Sequence, residues 1–525
     1  ADGPVKGQAR RLAAFGNRPT GDVQLIRFCQ QFPHLESAGR TLQLLHVVIL
    51  GFSKENGMLY RSIALAASLL LWSASLTVAH SEEAFEDKLL TTPATPEVID
   101  KGLEADGYQL GLSAYTWGYP LVRMERVVRS YSDVSGDVPA TSYRAPVNQI
   151  GWAQELATPS AKDMPTANND TFYMSAVVVL DEPYIFSVPD TADRYYVVNV
   201  FNMWQELEHY IGRRTTGTKA GRYVLVPPGW TGDVPSDATR LDVSTDKVWL
   251  WGRLRIAQGE PAGPVLDLQK QFTLLPVSGD AKTVELPPLP AIESDELSFF
   301  KHLGFVLKSN EVKPADEALF AQFARMGLTA DGFDESKLSP QMRKGVVRAL
   351  ADGPSVAVSS LGSTATVRNG WNWATGLDNF GFNYPLRAMV SGAYLGGNGE
   401  KEAMYPLRYT DSDGQVLNGA NKYIIKMDKE PPVDAFWSLT MYNASDKMLV
   451  ENPIQRYKVG TDTDGLKKGP DGSVTIAVQH DQPEDESVNW LPAPEGDFYV
   501  ILRMYQPSDE VLDGSYQLPQ MNRVK

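Results

Sequence analysis

Residues 172–256 repeat one pattern: short runs of Val, Tyr, Phe and Trp separated by Pro, Gly and Asp. Branched and aromatic side chains fit a pleated surface better than a helix, and the turn residues between runs leave no length for crossover helices. The pattern predicts strands at 172–180, 184–188, 194–203, 222–226 and 248–256, with a turn at Pro227-Pro228-Gly229-Trp230. Regular short strands of this kind favour a sandwich or jelly roll over βαβ units.

The pattern returns in the last third, at 423–427, 435–442, 447–450, 473–479 and 498–505. In the last of these, Phe498, Val500, Leu502 and Met504 alternate with Tyr499, Ile501, Arg503 and Tyr505, which predicts a strand with one face in a core. Residues 194–203 and 435–443 echo each other as aromatic strands ending near Asn. Helical signals come before and between the two β regions. Thr95 can cap, Pro96 suits the first position, and Glu97 the positive end, of a helix over 96–130. Pro120 is expected to kink or break it. A Pro-rich linker, Leu286 to Pro290, leads into a helical module to about 350, with Asp316, Gly327 and Ser339-Pro340 as start and stop signals, and a further helix to 372. The expected fold is mainly β with a helical segment (α+β): two antiparallel sandwich or jelly-roll-like domains joined by a helical module. The expected boundaries are 80–284, 285–372 and 373–525.

The first 79 residues read differently. Met58 opens a segment with one basic residue, an apolar run from Ile63 to Leu76, and small residues before the acidic Ser81-Glu82-Glu83. That is the order of a secretory signal peptide over 58–79. A membrane anchor needs about 20 apolar residues, and this run is shorter and broken by serines. Residues 1–57 are then read as a non-native upstream extension, and the protein as periplasmic or secreted without a permanent membrane anchor.

Cys29, the single cysteine, falls in that extension, so cleavage leaves no thiol nucleophile, Zn–thiolate site or Fe–S cluster. Removing the 8 basic and 4 acidic residues before position 80 from 49 and 64 leaves 41 and 60, a net charge of −19. That balance argues against nucleic acid as a partner and makes any basic cluster informative. His209, His302 and His480, the histidines after His80, stand at no metal-ligand spacing, and Gly-x-Ser-x-Gly is absent. The sequence requires no cofactor and no metal.

Two stretches carry candidate chemistry. In Met164 to Ser175, four polar residues, Asn168, Asn169, Asp170 and Thr171, pass straight into an apolar strand. Asn and Asp bond their own backbone in turns, so one reading is a structural turn. The other makes Asp170 an acid–base carboxylate, with Asn169 and Tyr173 orienting and Asn168 and Thr171 binding substrate. The second stretch, Gly212 to Arg222, sets Arg213, Arg214, Lys219 and Arg222 among threonines and glycines. It suits an anion cradle, since guanidinium pairs bidentately with carboxylate or phosphate, or else a solvated hairpin. Trp204 and His209 just before it are further substrate-binding candidates, and His209 could pair with Glu206 or Glu208 as acid and base. Arg387, Arg456 and Arg503 lie among apolar neighbours and are expected to be buried in pairs.

In order, Trp117-Gly-Tyr-Pro-Leu-Val, Asn168-Asn-Asp-Thr, Val188-Pro-Asp-Thr, Arg194-Tyr-Tyr-Val-Val and Gly212-Arg-Arg-Thr-Thr-Gly-Thr appear, followed by Tyr384-Pro-Leu-Arg-Ala, Ala435-Phe-Trp-Ser-Leu-Thr-Met-Tyr, Asn452-Pro-Ile and Asn489-Trp-Leu-Pro-Ala-Pro. On these motifs the chain resembles a bacterial exported family with tandem domains of unknown function 1254 and 1214. Ala167 departs from the pattern, which generally has Pro there. The resemblance implies two β-rich domains with helices between them and supplies no reaction.

The leading expectation is a cofactor-independent hydrolase or lyase of a small polar or anionic substrate. The alternative is a non-enzymatic oligomeric binding or assembly protein with glycan- or ligand-binding sandwiches. An enzyme should bring Asp170 and the 213–222 segment into one concave pocket; an assembly protein should leave them apart.

Overall fold

The computed structural model describes residues 88–280, 282–292 and 294–524. Residues 1–79, read above as an upstream extension and a signal peptide, and Cys29 within them lie outside the described residues. The short turn of helix at Lys88–Thr91 belongs to a unit ending at Pro93; everything below concerns the second unit, from Ala94 onward.

Helix α1 (Pro96–Ser132) starts where its caps predict, with the Thr95 side chain accepting from Val98 N at 3.4 Å. It continues through Pro120 without the break that proline could have caused. Proline removes one donor from the ladder. In that turn Arg387 reaches in from elsewhere and donates to the Trp117 carbonyl at 3.2 Å, and the segment is fully enclosed, with Trp117 and Leu121 at 0 % exposure. Packing holds the helix where local chemistry would break it.

Strands β1 (Gly151–Trp152), β2 (Thr171–Val179), β3 (Tyr184–Val188), β4 (Tyr196–Asn202), β5 (Leu207–Gly212), β6 (Gly221–Val226), β7 (Thr239–Asp242), β8 (Lys247–Arg255) and β9 (Thr273–Pro276) make two sheets. Their orders are β1-β2-β8-β4-β5 and β7-β6-β3-β9. Phe172, Met174, Val198, Leu250 and Leu254 of the first meet Phe186, Leu225 and Leu274 of the second in one apolar core. All five strands expected here form. The short helix α2 (Ala262–Gln269) precedes β9.

The middle segment supplies helices α3 (Ser298–Leu307), α4 (Glu317–Phe323) and α5 (Pro340–Ser359), with a small hairpin, β10 (Leu328–Thr329) and β11 (Gly332–Phe333). α5 lies against α1 so closely that a Cβ on Gly107 would collide with the Met342 backbone, and one on Gly345 with the Glu104 carbonyl. Helix does not reach 372 as expected. Residues 365–374 are instead a hairpin of β12 (Ala365–Arg368) and β13 (Trp371–Ala374), turning through Asn369 and Gly370, both at positive φ. The branched and aromatic residues of this stretch favour strand. Helix α6 (Tyr384–Ala393), capped by Asn383, falls within the segment read as β.

The last third adds β14 (Ala403–Met404), β15 (Leu407–Arg408), β16 (Lys422–Met427), β17 (Val433–Asn443), β18 (Lys458–Gly460), β19 (Val474–Gln479), β20 (Asn489–Pro492), β21 (Phe498–Pro507) and β22 (Met521–Val524). One sheet has the order β12-β13-β15-β21-β17-β18 with β14 also on β21; the other is β20-β19-β16-β22. Trp437, Leu439, Val500, Leu502, Ile425 and Ile476 fill the core between them. Residues 447–450 form no strand, only a bridge from Leu449 to Tyr442. The protein is thus a β-rich, two-domain α+β fold.

One expectation fails in a useful way. All ten residues of β21 are buried, not one face of it, and β2, β4 and β8 are buried almost throughout. The faces of the two sandwiches that alternation assigns to water are turned toward each other. Tyr195 and Val197 of the first domain pack with Phe436 and Tyr505 of the second, and Tyr173 and Trp251 share a core with Tyr442 and Tyr499. The result is a buried seam lined by residues that sequence periodicity reads as outward.

Candidate functional site

The Asn168–Thr171 turn stands at this seam. Asn168 is 1 % exposed, and its Oδ1 accepts from Asp170 N, Thr171 N and Thr171 Oγ1 at 2.9, 3.0 and 3.1 Å. Its own N and Nδ2 donate to the Tyr173 hydroxyl at 3.0 and 2.8 Å. Asn169 donates to the Ala157 carbonyl at 2.7 Å. These are the local bonds of a structural turn. Ala167, the departure from the family pattern, accepts from the Tyr442 hydroxyl at 2.6 Å.

Asp170 is 1 % exposed and spans the domains: Lys458 Nζ is 2.6 Å from Oδ1, and Ser438 Oγ donates to Oδ2 at 2.8 Å. Both its oxygens are therefore held by the second domain. A carboxylate paired this way inside a protein is costly to disturb, because removing it strands the lysine.

Two further buried arginines line the seam; among the described residues neither is in an ion pair, although Asp170 acts electrostatically on Arg503. Arg253 sits directly across from Tyr173 on the neighbouring strand, and Arg503 directly across from Ser438. They are 5 % and 4 % exposed. Arg253 Nη2 donates to the Gly396 carbonyl at 2.9 Å and Arg503 Nη2 to the Thr166 carbonyl at 2.8 Å. Among the described residues the Nη1 of each has no hydrogen-bond partner, and neither guanidinium forms an ion pair. The Tyr505 hydroxyl and Trp251 Nε1 are likewise buried and unpartnered. Burial, followed by the nearby Asp170 carboxylate, pushes the Tyr505 hydroxyl well above the usual tyrosine range, so it stays a proton donor. Aromatic rings make the walls: Tyr173 stacks on Trp251 at 4.8 Å and 16°, and Phe436 on Tyr505 at 4.1 Å and 23°. Arg253 lies 5.7 Å from the centroids of both Tyr173 and Trp251.

The basic stretch after β5 is brought to the edge of the same seam, in a cleft of about 620 Å³ that Asp170 does not line. Arg213 meets Asp193 at 3.1 Å and donates to Gln506 Oε1 at 2.7 Å. Arg214 pairs with the buried Glu402 at 2.6 Å. Lys219 is exposed and pairs with Asp190 at 2.9 Å. The two stretches singled out by sequence thus do not share one pocket. His209 bonds the Asp242 carbonyl at 2.7 Å through Nε2, while Glu208 binds Asn202 and Ser244. Trp204 is fully buried 4.7 Å from Trp117.

Of the three arginines expected in buried pairs, Arg387 is paired, with Glu206 at 2.9 Å. Arg456 is half-buried and donates to the Trp490 carbonyl. Arg503 is buried without a carboxylate partner, which corrects that expectation. Arg253 was hidden in the sequence: Lys247–Arg255 reads as an ordinary strand, and its arginine as outward. A basic residue repeated on the apparently solvent face of an otherwise apolar strand is the signal that could have found it.

Two family models match the chain: Protein of unknown function (DUF1254) over residues 147–276 and Protein of unknown function (DUF1214) over residues 402–509. The chain is a tandem DUF1254–DUF1214 protein. In this tandem protein the matched segments are the two sandwiches, and the seam is where they meet. Its structure is similar to the crystal structure of the VPA0106 protein from Vibrio parahaemolyticus, with 25 % identity, a TM-score of 0.61, and coverage of 80 % of this chain and 100 % of that one. A putative uncharacterized protein from Burkholderia cenocepacia matches at 15 % identity and a TM-score of 0.40, covering 80 % and 99 %. No curated protein matches. Among the described residues no helix is long and apolar enough to cross a membrane.

Proposed function

We propose that this protein binds a small polar or anionic molecule at the seam between its two β domains. Although Asp170 and the 213–222 segment do not share a pocket, we further propose that it acts on that molecule as a cofactor-independent hydrolase or lyase centred on the seam alone, with the Tyr505 hydroxyl, which stays protonated, donating a hydrogen bond to the reacting oxygen. The observation that supports the reading is the group of unpartnered donors on Arg253, Arg503, Trp251 and Tyr505, enclosed between the sheets. A buried donor left unsatisfied costs about 1–3 kcal/mol, and more when it is charged. Folds retain such groups where a ligand completes them. Asp170 is already engaged, since Lys458 and Ser438 hold both of its oxygens. Export belongs to the same proposal and rests on the 58–79 segment, so the ligand is met in the periplasm or outside the cell.

The test is a turnover screen of the purified protein on esters, phosphates and glycosides, beside Tyr505→Phe and Asp170→Asn. Loss of turnover in Tyr505→Phe with the fold retained is the expected result. Full turnover in that variant removes Tyr505 from the chemistry.

A further inference from the structure

We infer that the buried end of this seam is a carboxylate receptor: Arg253 and Arg503 together hold the carboxylate of a small organic acid, and the Tyr505 hydroxyl is the third donor. The inference rests on the proposed ligand site and names the class of ligand it takes.

The charge count of the seam comes first. Arg253, Arg503 and Lys458 are cations, and Asp170 is the acid bonded among them, to Lys458. Among the described residues, two positive charges are left in surroundings closed to water. Ions move into such a space only with a counter-charge. Other basic groups near the junction already have theirs: Arg214 has Glu402, Arg255 has Asp462, and Arg213 has Asp193. The edge cleft holding Arg213, Arg214 and Lys401 also contains Asp193, Asp434 and Asp509. The Arg253–Arg503 site is therefore distinguished by its missing acid and not by its cations.

The donors choose among anions. Each guanidinium is fixed by its Nη2 on a backbone carbonyl, and each offers Nη1. Planar N–H groups fixed in this way match the planar oxygens of a carboxylate. Tyr173, Trp251, Phe436 and Tyr505 make the surroundings aromatic. Such walls oppose phosphate and sulfate, whose four tetrahedral oxygens would all have to be buried among apolar rings, whereas a carboxylate buries two oxygens and leaves its carbon end to the aromatic surroundings. One open cleft shares a wall with the pair. Tyr173, whose ring lies by Arg253, also lines a space of about 260 Å³ with Tyr143, Ala157, Ala161, Met164 and Ala167. The apolar side of that space would take the acid's carbon skeleton; Arg144, Lys162 and Asp163 line the rest.

The experiment uses the purified chain and follows thermal denaturation and titration calorimetry with acetate, benzoate and succinate, and in parallel with phosphate and sulfate. Wild type should be stabilised saturably by at least one carboxylate and not by phosphate or sulfate. Arg253→Met and Arg503→Met should each weaken that binding about tenfold to a hundredfold, and Tyr505→Phe about twofold to tenfold. Both methionine variants remove a buried charge and are expected to fold. Arg503→Lys keeps the charge without the fork and should recover part of the binding. Arginine-dependent binding of phosphate or sulfate in place of carboxylates overturns the carboxylate assignment and leaves the seam as a ligand site. Carboxylate binding that both methionine variants retain places the receptor elsewhere and overturns it. No stabilisation by any of the three carboxylates overturns it as well.

Discussion

Two sets of buried cations lie in this fold and differ in what neutralises them. Around α6, Arg387 and Lys313 meet Glu206, while Asp316 accepts from Trp117 Nε1 at 2.9 Å and from the Tyr384 hydroxyl at 2.5 Å. Two cations and two carboxylates close that group within the chain. At the seam, Arg253 and Arg503 have carbonyls and aromatic rings and, among the described residues, no ion pair of their own. Burial alone therefore does not separate a structural arginine from a functional one; the charge balance of its surroundings does. The first set ties α1, α4, α6 and the turn before β5 together. The second is an incomplete ion pair awaiting its acid.

The comparison can be pressed from both sides. The largest effect is expected from Asp170→Asn, which leaves Lys458 as a third uncompensated cation in the seam; it should cost about 3–5 kcal/mol in chemical denaturation. Any kinetic loss in that variant must be read on protein shown to be folded. Glu206→Gln should unbalance the α6 group in the same sense, by about 1–3 kcal/mol, less because Glu206 is partly exposed. If it costs nothing, the contrast between balanced and unbalanced sets is wrong.

Acid tests a third buried group. Glu125, 1 % exposed, binds Lys247, Arg129 and Asn310. Burial pushes its carboxyl up, but these partners together outweigh burial and hold it below its ordinary value. The unfolded chain then binds more protons across that window, so the stabilisation is present above about pH 4.3 and is lost as pH falls through the folded value. Denaturation midpoints followed from about pH 6 to 3 should fall less steeply in Glu125→Gln than in wild type. Lys247 is pushed below the usual lysine range by burial despite Glu125, which again favours the unfolded, proton-binding state as pH falls from the alkaline side.

Smaller effects complete the series. Arg253→Met should leave ligand-free stability unchanged or raise it, since it exchanges an uncompensated charge for apolar volume; clear destabilisation would mean that this arginine is structural like Arg387. Lys219→Ala removes an exposed pair and should leave the melting temperature unmoved.

The sequence by itself determined the two β regions, the helical insertion, the start of α1 and the tandem family, because these follow from local chemistry: strand-favouring runs, turn residues and caps. It also singled out the turn at Asp170. Only the tertiary structure decided what that turn touches. The strand period of two states which residues share a face and not what the face meets. When two sandwiches turn their outer faces inward, Arg253, Arg503 and Tyr505 change from apparent surface to buried seam without any change in local pattern. Likewise Pro120 was legible as a breaker, but the helix continues through it where Trp117 and Leu121 are packed out of contact with water, and that packing comes from elements distant in the chain. Charge balance in a buried space is a sum over distant strands, and that sum exists only once the chain has folded.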